Sequence, residues 1–313
     1  MKVRSGDRGW RVQVLQERLK ELGLLTQDEP DFGPATAQAV QGFQGSQGLV
    51  VDGVVGPKTW SRLFIPNPYN QDYIKRMLFG GQEVFDFLDE VVAAVSVGEG
   101  GTFDVMNLDS DGEGLSFGIL QWAQNPGSLH RLLKAFAEAH WEKFAHILAA
   151  DDLNLAQELL EKTKRKGKKL PLWNGAWPRR FFYAGRDLEF QKVQRKLARR
   201  DMLARLTDGY ELYLEKYKPD GCIAQRALMM MADVGNQAGP RGLEGTLAQA
   251  GQGASENEAT FIRALGEYVE DIIARKYGDP NYGDTQGRHG RICQNYSLER
   301  VNWPAIKAAV MGG

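Results

Sequence analysis

One stretch restricts the fold more than any other, because it runs an apolar helical face into a lone glutamate and then into a short apolar segment. Between residues 82 and 97, apolar side chains recur at helical spacing, at Val84, Phe85, Leu88, Val91, Val92 and Val95. That spacing predicts a helix with one buried face. Glycines at 98, 100 and 101 end the helix around Glu99. Apolar residues alternating between 115 and 122 then indicate a strand or an early helix against a core.

Two kinds of environment for a carboxyl group follow from this layout. Glu99 ends an apolar helix, where its neighbours and the negative end of the helix dipole both disfavour the ionised form. Asp111 lies in a polar turn together with Asp109 and is expected to be hydrated and ionised. A glycosidase needs one carboxyl group to protonate the leaving oxygen and another to activate water. Glu99 is therefore the candidate acid and Asp111 the candidate base, with Asp109 as the alternative base.

A calcium loop is the competing interpretation of the same turn. Asn107, Asp109, Asp111 and Gly112 match positions 1, 3, 5 and 6 of an EF-hand loop, but position 12 is Gly118. An EF-hand requires a bidentate glutamate there, followed by an exit helix. We therefore expect no metal and no cofactor. A merely solvated acidic turn stays open as an alternative.

The segment 111–119 carries a family resemblance. It reads DGEGLSFGI and resembles the Asp-Gly-x-Gly-x-Thr-x-Gly-Ile segment of family 46 glycoside hydrolases, the chitosanases, which belong to the lysozyme-like superfamily. The resemblance implies an inverting reaction in which Glu99 is the general acid and Asp111 the general base. Ser116 takes the place of the threonine that helps to hold the attacking water. The two carboxyl residues are closer in sequence here than in the chitosanases, so the loop between them is expected to differ.

A second segment, residues 227–243, resembles the helix, the Gly/Asn/Pro-rich turn and the following helix of the same family. Asn236 and Gln237 would face the cleft, where their amides could bond sugar hydroxyl and N-acetyl groups. A helix-capping role for Asn236 is the alternative. The remaining substrate-binding candidates are Trp173, Trp177, Tyr282 and Arg288.

The first 64 residues form three short amphipathic pieces. Gly-Pro pairs at 33–34 and 56–57 open the second and third pieces, and proline is well tolerated at the first position of a helix. The pattern resembles the three-helix peptidoglycan-binding module, through Phe32-Gly33, Asp52-Gly53, Val55-Gly56 and Thr59-Trp60. Residues 29–31, Glu-Pro-Asp, depart from the Asp-Gly that usually precedes Phe-Gly. We predict a mainly α chain with a peptidoglycan-binding domain (1–65), a linker (66–80) and an α+β lysozyme-like domain (81–313) with a small β element at its active site.

The substrate follows from charge as well as from the module. Between residues 161 and 200 there are fourteen Lys/Arg and three Asp/Glu residues, a net charge of +11. Chitosan is a polycation, whereas peptidoglycan carries carboxylates that a basic surface attracts. Nucleic acid is a rival partner for these cations, although no nucleic-acid fold signature accompanies them. The predicted reaction is hydrolysis of the β-1,4 glycan of peptidoglycan, between N-acetylmuramic acid and N-acetylglucosamine. A lytic transglycosylase, a chitosanase and a non-catalytic wall-anchoring protein are the alternatives.

The setting is predicted from what the sequence lacks. Two cysteines, Cys222 and Cys293, make no disulfide framework and are expected to be free thiols. The first residues show no apolar signal region, and no window approaches the roughly 18 apolar residues of a membrane span. We expect a monomer that is made in the cytoplasm, binds neither nucleic acid nor membrane, and acts on the cell wall as a phage endolysin or a secreted effector.

Overall fold

A computed structural model of the chain describes residues 2–27, 29–64, 86–99, 102–108, 114–164, 170–217, 222–251, 261–267, 290, 292–293 and 295–312. The helices, in chain order, are α1 (Trp10–Glu21), α2 (Pro34–Ser46), α3 (Pro57–Phe64), α4 (Phe87–Gly98), α5 (Ser128–Ala139), α6 (Trp141–Ala149), α7 (Leu153–Thr163), α8 (Trp177–Arg186), α9 (Leu188–Tyr217), α10 (Gln225–Gly251) and α11 (Trp303–Gly312). The strands are β1 (Met106–Leu108), β2 (Leu115–Phe117), β3 (Trp122–Ala123), β4 (Cys222–Ala224) and β5 (Arg300–Asn302). The predicted mainly α fold with a small β element is confirmed.

The chain divides into two compact units. The first contains Met1–Ile74 and Gly101–Gln191, and the second contains Lys75–Gly100 and Lys192–Gly313. The contact pattern thus groups the N-terminal helices with residues that the sequence analysis assigned to the following domain. The boundaries at 65 and 80 stay a prediction.

Helices α1, α2 and α3 form the N-terminal module, by which we mean residues 2–64. Their shared core is built from buried apolar side chains, including Val12, Leu15, Leu19, Phe32, Val40, Phe43 and Leu63. Both predicted Gly-Pro starts are observed, because α2 begins at Pro34 after Gly33 and α3 begins at Pro57. A backbone bridge between Val3 and Val55 closes the module.

The Glu-Pro-Asp departure in this module has a structural role. The N-cap residue of α2, Gly33, has no side chain with which to bind the first amides of the helix. The Glu29 carboxylate instead accepts from Thr36 N at 2.8 Å, from Thr36 Oγ1 at 2.7 Å and from Ala35 N at 3.2 Å. Hydrogen bonds from the Thr36 hydroxyl and amide lower the pKa of Glu29. A side chain four residues upstream of the cap position thus replaces the cap.

The rest of the first unit combines four helices with the β1–β2–β3 sheet, and of these α5 packs on β3 and α8 on β1. The strands are antiparallel, with Ser116 opposite Asn107 in β1 and opposite Ala123 in β3. Helices α5, α6 and α7 pack in succession, and α8 packs on α6 and β1. Aromatic rings fill the interior. Phe117 meets Phe181 edge to face with ring centroids 5.1 Å apart and stacks on Phe190 at 5.9 Å, and Phe136 stacks on Phe190 at 4.2 Å.

In the second unit, α4 packs against α10. Asp86 caps α4 in a capping box, accepting from Asp89 N at 2.9 Å while the Asp89 carboxylate accepts from Asp86 N at 3.3 Å. Helix α10 is broken at Gly239, whose φ is 72°, as the predicted helix, turn and helix require. The methionine run 229–231 in α10 is fully buried and belongs to the core.

Candidate functional site

Glu99 occupies the C-cap position of α4. The helix buries Val91, Val92 and Val95 completely and ends at Gly98. The Glu99 amide donates to Ser96 O at 3.0 Å, which closes the last turn. The prediction that Glu99 ends a buried helix is confirmed, and the predicted residues 82–85 of that helix lie outside the described residues.

The carboxyl group of Glu99 is held by Asn236. Asn236 Nδ2 donates to Glu99 Oε1 at 2.8 Å, joining α10 to the end of α4 within the second unit. Asn236 lies inside α10, three residues before the break at Gly239, so it is not an N-cap. The structure thus shows a contact that neither sequence interpretation included. A neutral amide orients the carboxyl group without placing a positive charge beside it.

Gln237 follows Asn236 in the same helix, but its amide turns back along α10. Gln237 Nε2 donates to Asp233 Oδ2 at 2.9 Å, and Asp233 is fully buried. The Gln237 Oε1 atom is itself buried and has no hydrogen-bond partner among the described residues. Sugar binding by Gln237 therefore stays a prediction.

Ser116 lies at the centre of β2, in the first unit, and is 5% exposed. Because side chains alternate along a strand, it points to the face opposite Leu115 and Phe117. The glycine at position 114, two residues before Ser116, has a clear structural reason. Gly114 has a φ of +76°, and a Cβ at this position would lie 2.7 Å from Oε1 of Gln124.

Gln124 is the residue that this glycine accommodates, and it is fully buried. Leu115 N donates to Gln124 Oε1 at 3.3 Å, and the backbone N of Gln124 donates to Leu115 O at 2.9 Å. Its Nε2 donates to Leu170 O at 2.8 Å. Gln124 was not among the residues predicted for the site, and only its position after the motif could have suggested this role.

The two tryptophan candidates lie near the start of α8. Trp173 is half-buried in the preceding turn, and Trp177 is the first residue of the helix. The Arg180 guanidinium lies 5.1 Å from the Trp177 ring centroid and donates to Leu148 O at 3.0 Å. The Arg180 guanidinium therefore covers one face of Trp177. Sugar stacking by Trp173 and Trp177 stays a prediction.

Several cations of the basic segment 161–200 bind acidic side chains of the protein itself. Arg179 pairs with Glu17, and Arg186 pairs with Glu21. In the second unit, Arg199 binds the two aspartates at the start of α4. The cluster of Arg199, Asp86 and Asp89 was not predicted from the sequence, although the Asp-x-x-Asp spacing before an apolar run resembles a capping box. The charge of +11 is thus partly structural, which the sequence alone did not reveal.

Four candidates lie outside the described residues: Asp109, Asp111, Tyr282 and Arg288. The first two fall in the segment that joins β1 to β2. Within the described part of the chain, no group of three or more His, Cys, Asp or Glu residues is arranged to hold a metal ion. No helix in that part has both the length and the apolar character of a membrane span. Both cysteines are free thiols.

Comparison with known proteins identifies the N-terminal module. Residues 8–63 match the family described as a putative peptidoglycan binding domain, which confirms the predicted module. The spore cortex-lytic enzyme of Halalkalibacterium halodurans is 30% identical over 111 residues, 35% of this chain and 33% of that protein. The zinc D-Ala-D-Ala carboxypeptidase of Streptomyces albus G is 39% identical over 63 residues, 19% of this chain and 25% of that protein. The chain thus spans a third or less of these relatives.

Among solved structures, the chain is similar to the GH46 chitosanase of Gynuella sunshinyii in complex with chitotetraose. The TM-score is 0.48 at 12% sequence identity, and the match covers 73% of this chain and 91% of the chitosanase chain.

Proposed function

We propose that this protein is a cell-wall glycan hydrolase that cleaves the β-1,4 backbone of peptidoglycan while its N-terminal module holds it on the wall. The match of residues 8–63 to a peptidoglycan-binding family supports the substrate. The relatives named as a cortex-lytic enzyme and a D-Ala-D-Ala carboxypeptidase support a hydrolase of wall material. The finer assignment, a muramidase of the lysozyme type with inversion, depends on the site residues.

The observation that carries the catalytic proposal is the Glu99 carboxyl group at the end of a buried helix, hydrogen-bonded at 2.8 Å by Asn236. A general acid must present its proton to the leaving oxygen in a fixed geometry. Asn236 limits the rotamers of Glu99 and therefore acts as a positioning residue. Glu99 protonates the glycosidic oxygen as the bond to the anomeric carbon breaks.

Water supplies the other half of the reaction. Asp111, or Asp109 in its place, removes a proton from a water molecule that attacks the anomeric carbon from the opposite sugar face, and Ser116 helps to hold that water. Inversion by this route requires the two carboxyl groups to lie roughly 6.5–9.5 Å apart. The products are a new reducing end and a new hydroxyl group, and the reaction needs no metal and no cofactor.

The glycan contacts in this proposal come from aromatic and basic side chains. Trp173 and the face of Trp177 opposite Arg180 stack on sugar rings. Tyr282 and Arg288 bind the substrate in this proposal. The protein works as a monomer at the cell wall, after synthesis in the cytoplasm, as a phage endolysin or a secreted effector.

The test offers purified peptidoglycan and purified chitosan side by side and reads the new reducing ends by mass spectrometry. We expect N-acetylmuramic acid ends from peptidoglycan and no release from chitosan.

Glu99→Gln keeps the shape of the side chain and an acceptor for Asn236 but loses the transferable proton, so the rate of glycan cleavage should fall about 10²–10⁴-fold. Glu138→Gln, on the exposed side of α5, is the matched control and should retain full activity.

Each other outcome assigns a different function. Release from chitosan alone would make the protein a chitosanase, and release from neither substrate would make it a wall-anchoring protein. Anhydro-sugar ends, with activity retained in Asp111→Asn, would indicate a lytic transglycosylase. Full activity of Glu99→Gln would remove Glu99 from the mechanism.

A further inference from the structure

The N-terminal module contacts α8 through two ion pairs. On α1, Glu17 Oε1 lies 3.0 Å from Arg179 Nη2, and Glu21 Oε2 lies 3.3 Å from Arg186 Nη2. Glu17 and Glu21 are four residues apart, so they lie on the same face of α1. The acidic residues thus form a row that meets the basic residues of α8.

An aromatic contact accompanies the ion pairs. The ring of Phe64, the last residue of α3, meets the ring of Phe182 edge to face, with centroids 5.4 Å apart at 88°. Phe182 is 5% exposed, and the Arg186 guanidinium lies 5.2 Å from its ring. An apolar contact enclosed by opposite charges is the usual anatomy of a specific interface.

Helix α8 is fixed to the rest of the first unit on its other side. Phe181 packs on Phe117 of β2 with centroids 5.1 Å apart. At Gly185 the helix approaches the backbone so closely that a Cβ would lie 2.4 Å from Asp104 Cα. Burial raises the pKa of Asp104, opposed by the nearby charge of Arg186. The surface that receives the module is therefore a fixed part of this unit.

From these contacts we propose that α8 is a docking surface for the N-terminal module, which works as a fixed part of the first unit and not as a freely swinging anchor. The four charged side chains are between 31% and 50% exposed. Ion pairs of that exposure contribute little to the free energy of docking, but they select the orientation of the module on α8. They weaken as the salt concentration rises. The Phe64–Phe182 contact supplies the apolar part, and the covalent link makes docking intramolecular. This consequence rests on the proposed function: wall glycan bound by the module is held in one orientation relative to the β1–β2–β3 sheet.

The experiment measures distances in the full chain and needs no catalytic activity, so its failure is distinct from failure of the proposed reaction. Spin labels replace two exposed residues, Gln47 in the module and Glu158 in α7, with Cys222 and Cys293 changed to serine. Pulsed electron resonance should give one narrow distance distribution. Circular dichroism checks that every variant keeps its helix content.

Charge reversals then probe the docking surface. Glu17→Arg and Arg179→Glu should each broaden the distribution, and the double variant should restore the narrow one because the pair is re-formed with opposite polarity. Lys134→Glu, in an exposed ion pair with Glu138 inside α5, is the matched control and should change nothing. A broad distribution in the parent protein would overturn the proposal. So would a narrow distribution in both single reversals, or a double variant that stays broad.

Discussion

Arg199 joins both carboxyl groups at the start of α4, the helix that ends at Glu99. Its Nη2 lies 2.6 Å from Asp86 Oδ2, its Nη1 lies 3.0 Å from Asp86 Oδ1, and Nη1 also donates to Asp89 Oδ1. We predict that Arg199→Met lowers the free energy of unfolding by about 2–3 kcal/mol, between the values for an exposed and a buried ion pair. Methionine keeps much of the apolar stem and removes the charge.

The magnitude follows from the exposure of the three side chains. Arg199 is 32% exposed, Asp86 is 42% exposed and Asp89 is 10% exposed. Exposed pairs contribute about 0.2–1 kcal/mol, whereas removing one partner of a buried pair costs about 3–5 kcal/mol. The Arg199–Asp86 contact is an exposed pair, and the Arg199–Asp89 contact is closer to a buried pair.

The pKa values of Asp86 and Asp89 are shifted in opposite directions. Burial raises the pKa of Asp89 and outweighs the hydrogen bond and charge of Arg199. Burial also acts on Asp86, but the Arg199 hydrogen bond and the Asp89 amide outweigh it, so the pKa of Asp86 is lowered. Without Arg199, Asp89 can take up a proton, and this limits the loss of stability.

The assay is urea unfolding followed by circular dichroism. With a slope of about 2 kcal/mol per molar urea, the midpoint of Arg199→Met should fall by about 1–1.5 M. A double-mutant cycle with Asp89→Asn should give a coupling energy above about 1 kcal/mol. Lys134→Met, in the exposed pair within α5, should cost less than about 0.5 kcal/mol. An Arg199→Met midpoint equal to that of the parent, or zero coupling, would refute the reasoning.

Three further predictions concern other parts of the chain. Asn236→Ala should lower kcat with little change in KM, because the amide orients Glu99, the proposed general acid; steady-state kinetics showing only a raised KM would assign Asn236 to sugar binding. Gly114→Ala should cost at least about 1–2 kcal/mol in thermal melts, because of its positive φ and its approach to Gln124, whereas Gly245→Ala, in an exposed helical position with open space, should be neutral or stabilising. The lowered pKa of Glu29 contributes stability above its ordinary pKa of about 4.3 that is lost as the pH falls through its lower folded value. Melts of Glu29→Gln should therefore lose less stability on acidification than the parent, and equal losses would contradict this.

Local sequence signals predicted the elements that depend on local physics. Apolar periodicity and glycine placed Glu99 at the end of a buried helix, and the Gly-Pro pairs placed the starts of α2 and α3. Around Ser116 the alternation of apolar residues indicated a strand or an early helix, and the structure shows a strand. These features need only neighbouring residues, because helix ends and turns are set by backbone conformation and capping.

The contacts that organise the candidate site join residues far apart in sequence. Asn236 and Glu99 are separated by 137 positions, and Arg199 and Asp89 by 110. No periodicity within one helix specifies which side chain of another helix it meets. For the same reason the basic segment was predicted to attract substrate, whereas Arg179 and Arg186 bind acidic residues of α1. A charge count describes composition, and only the packing decides how each charge is used.

The contact between α1 and α8 also restricts how such a chain can be recombined. Replacing the N-terminal module by a different domain would uncover Phe182 and separate Arg179 and Arg186 from their partners on α1. A working chimera therefore has to carry an acidic row and an aromatic residue that match α8, or α8 has to be redesigned with it.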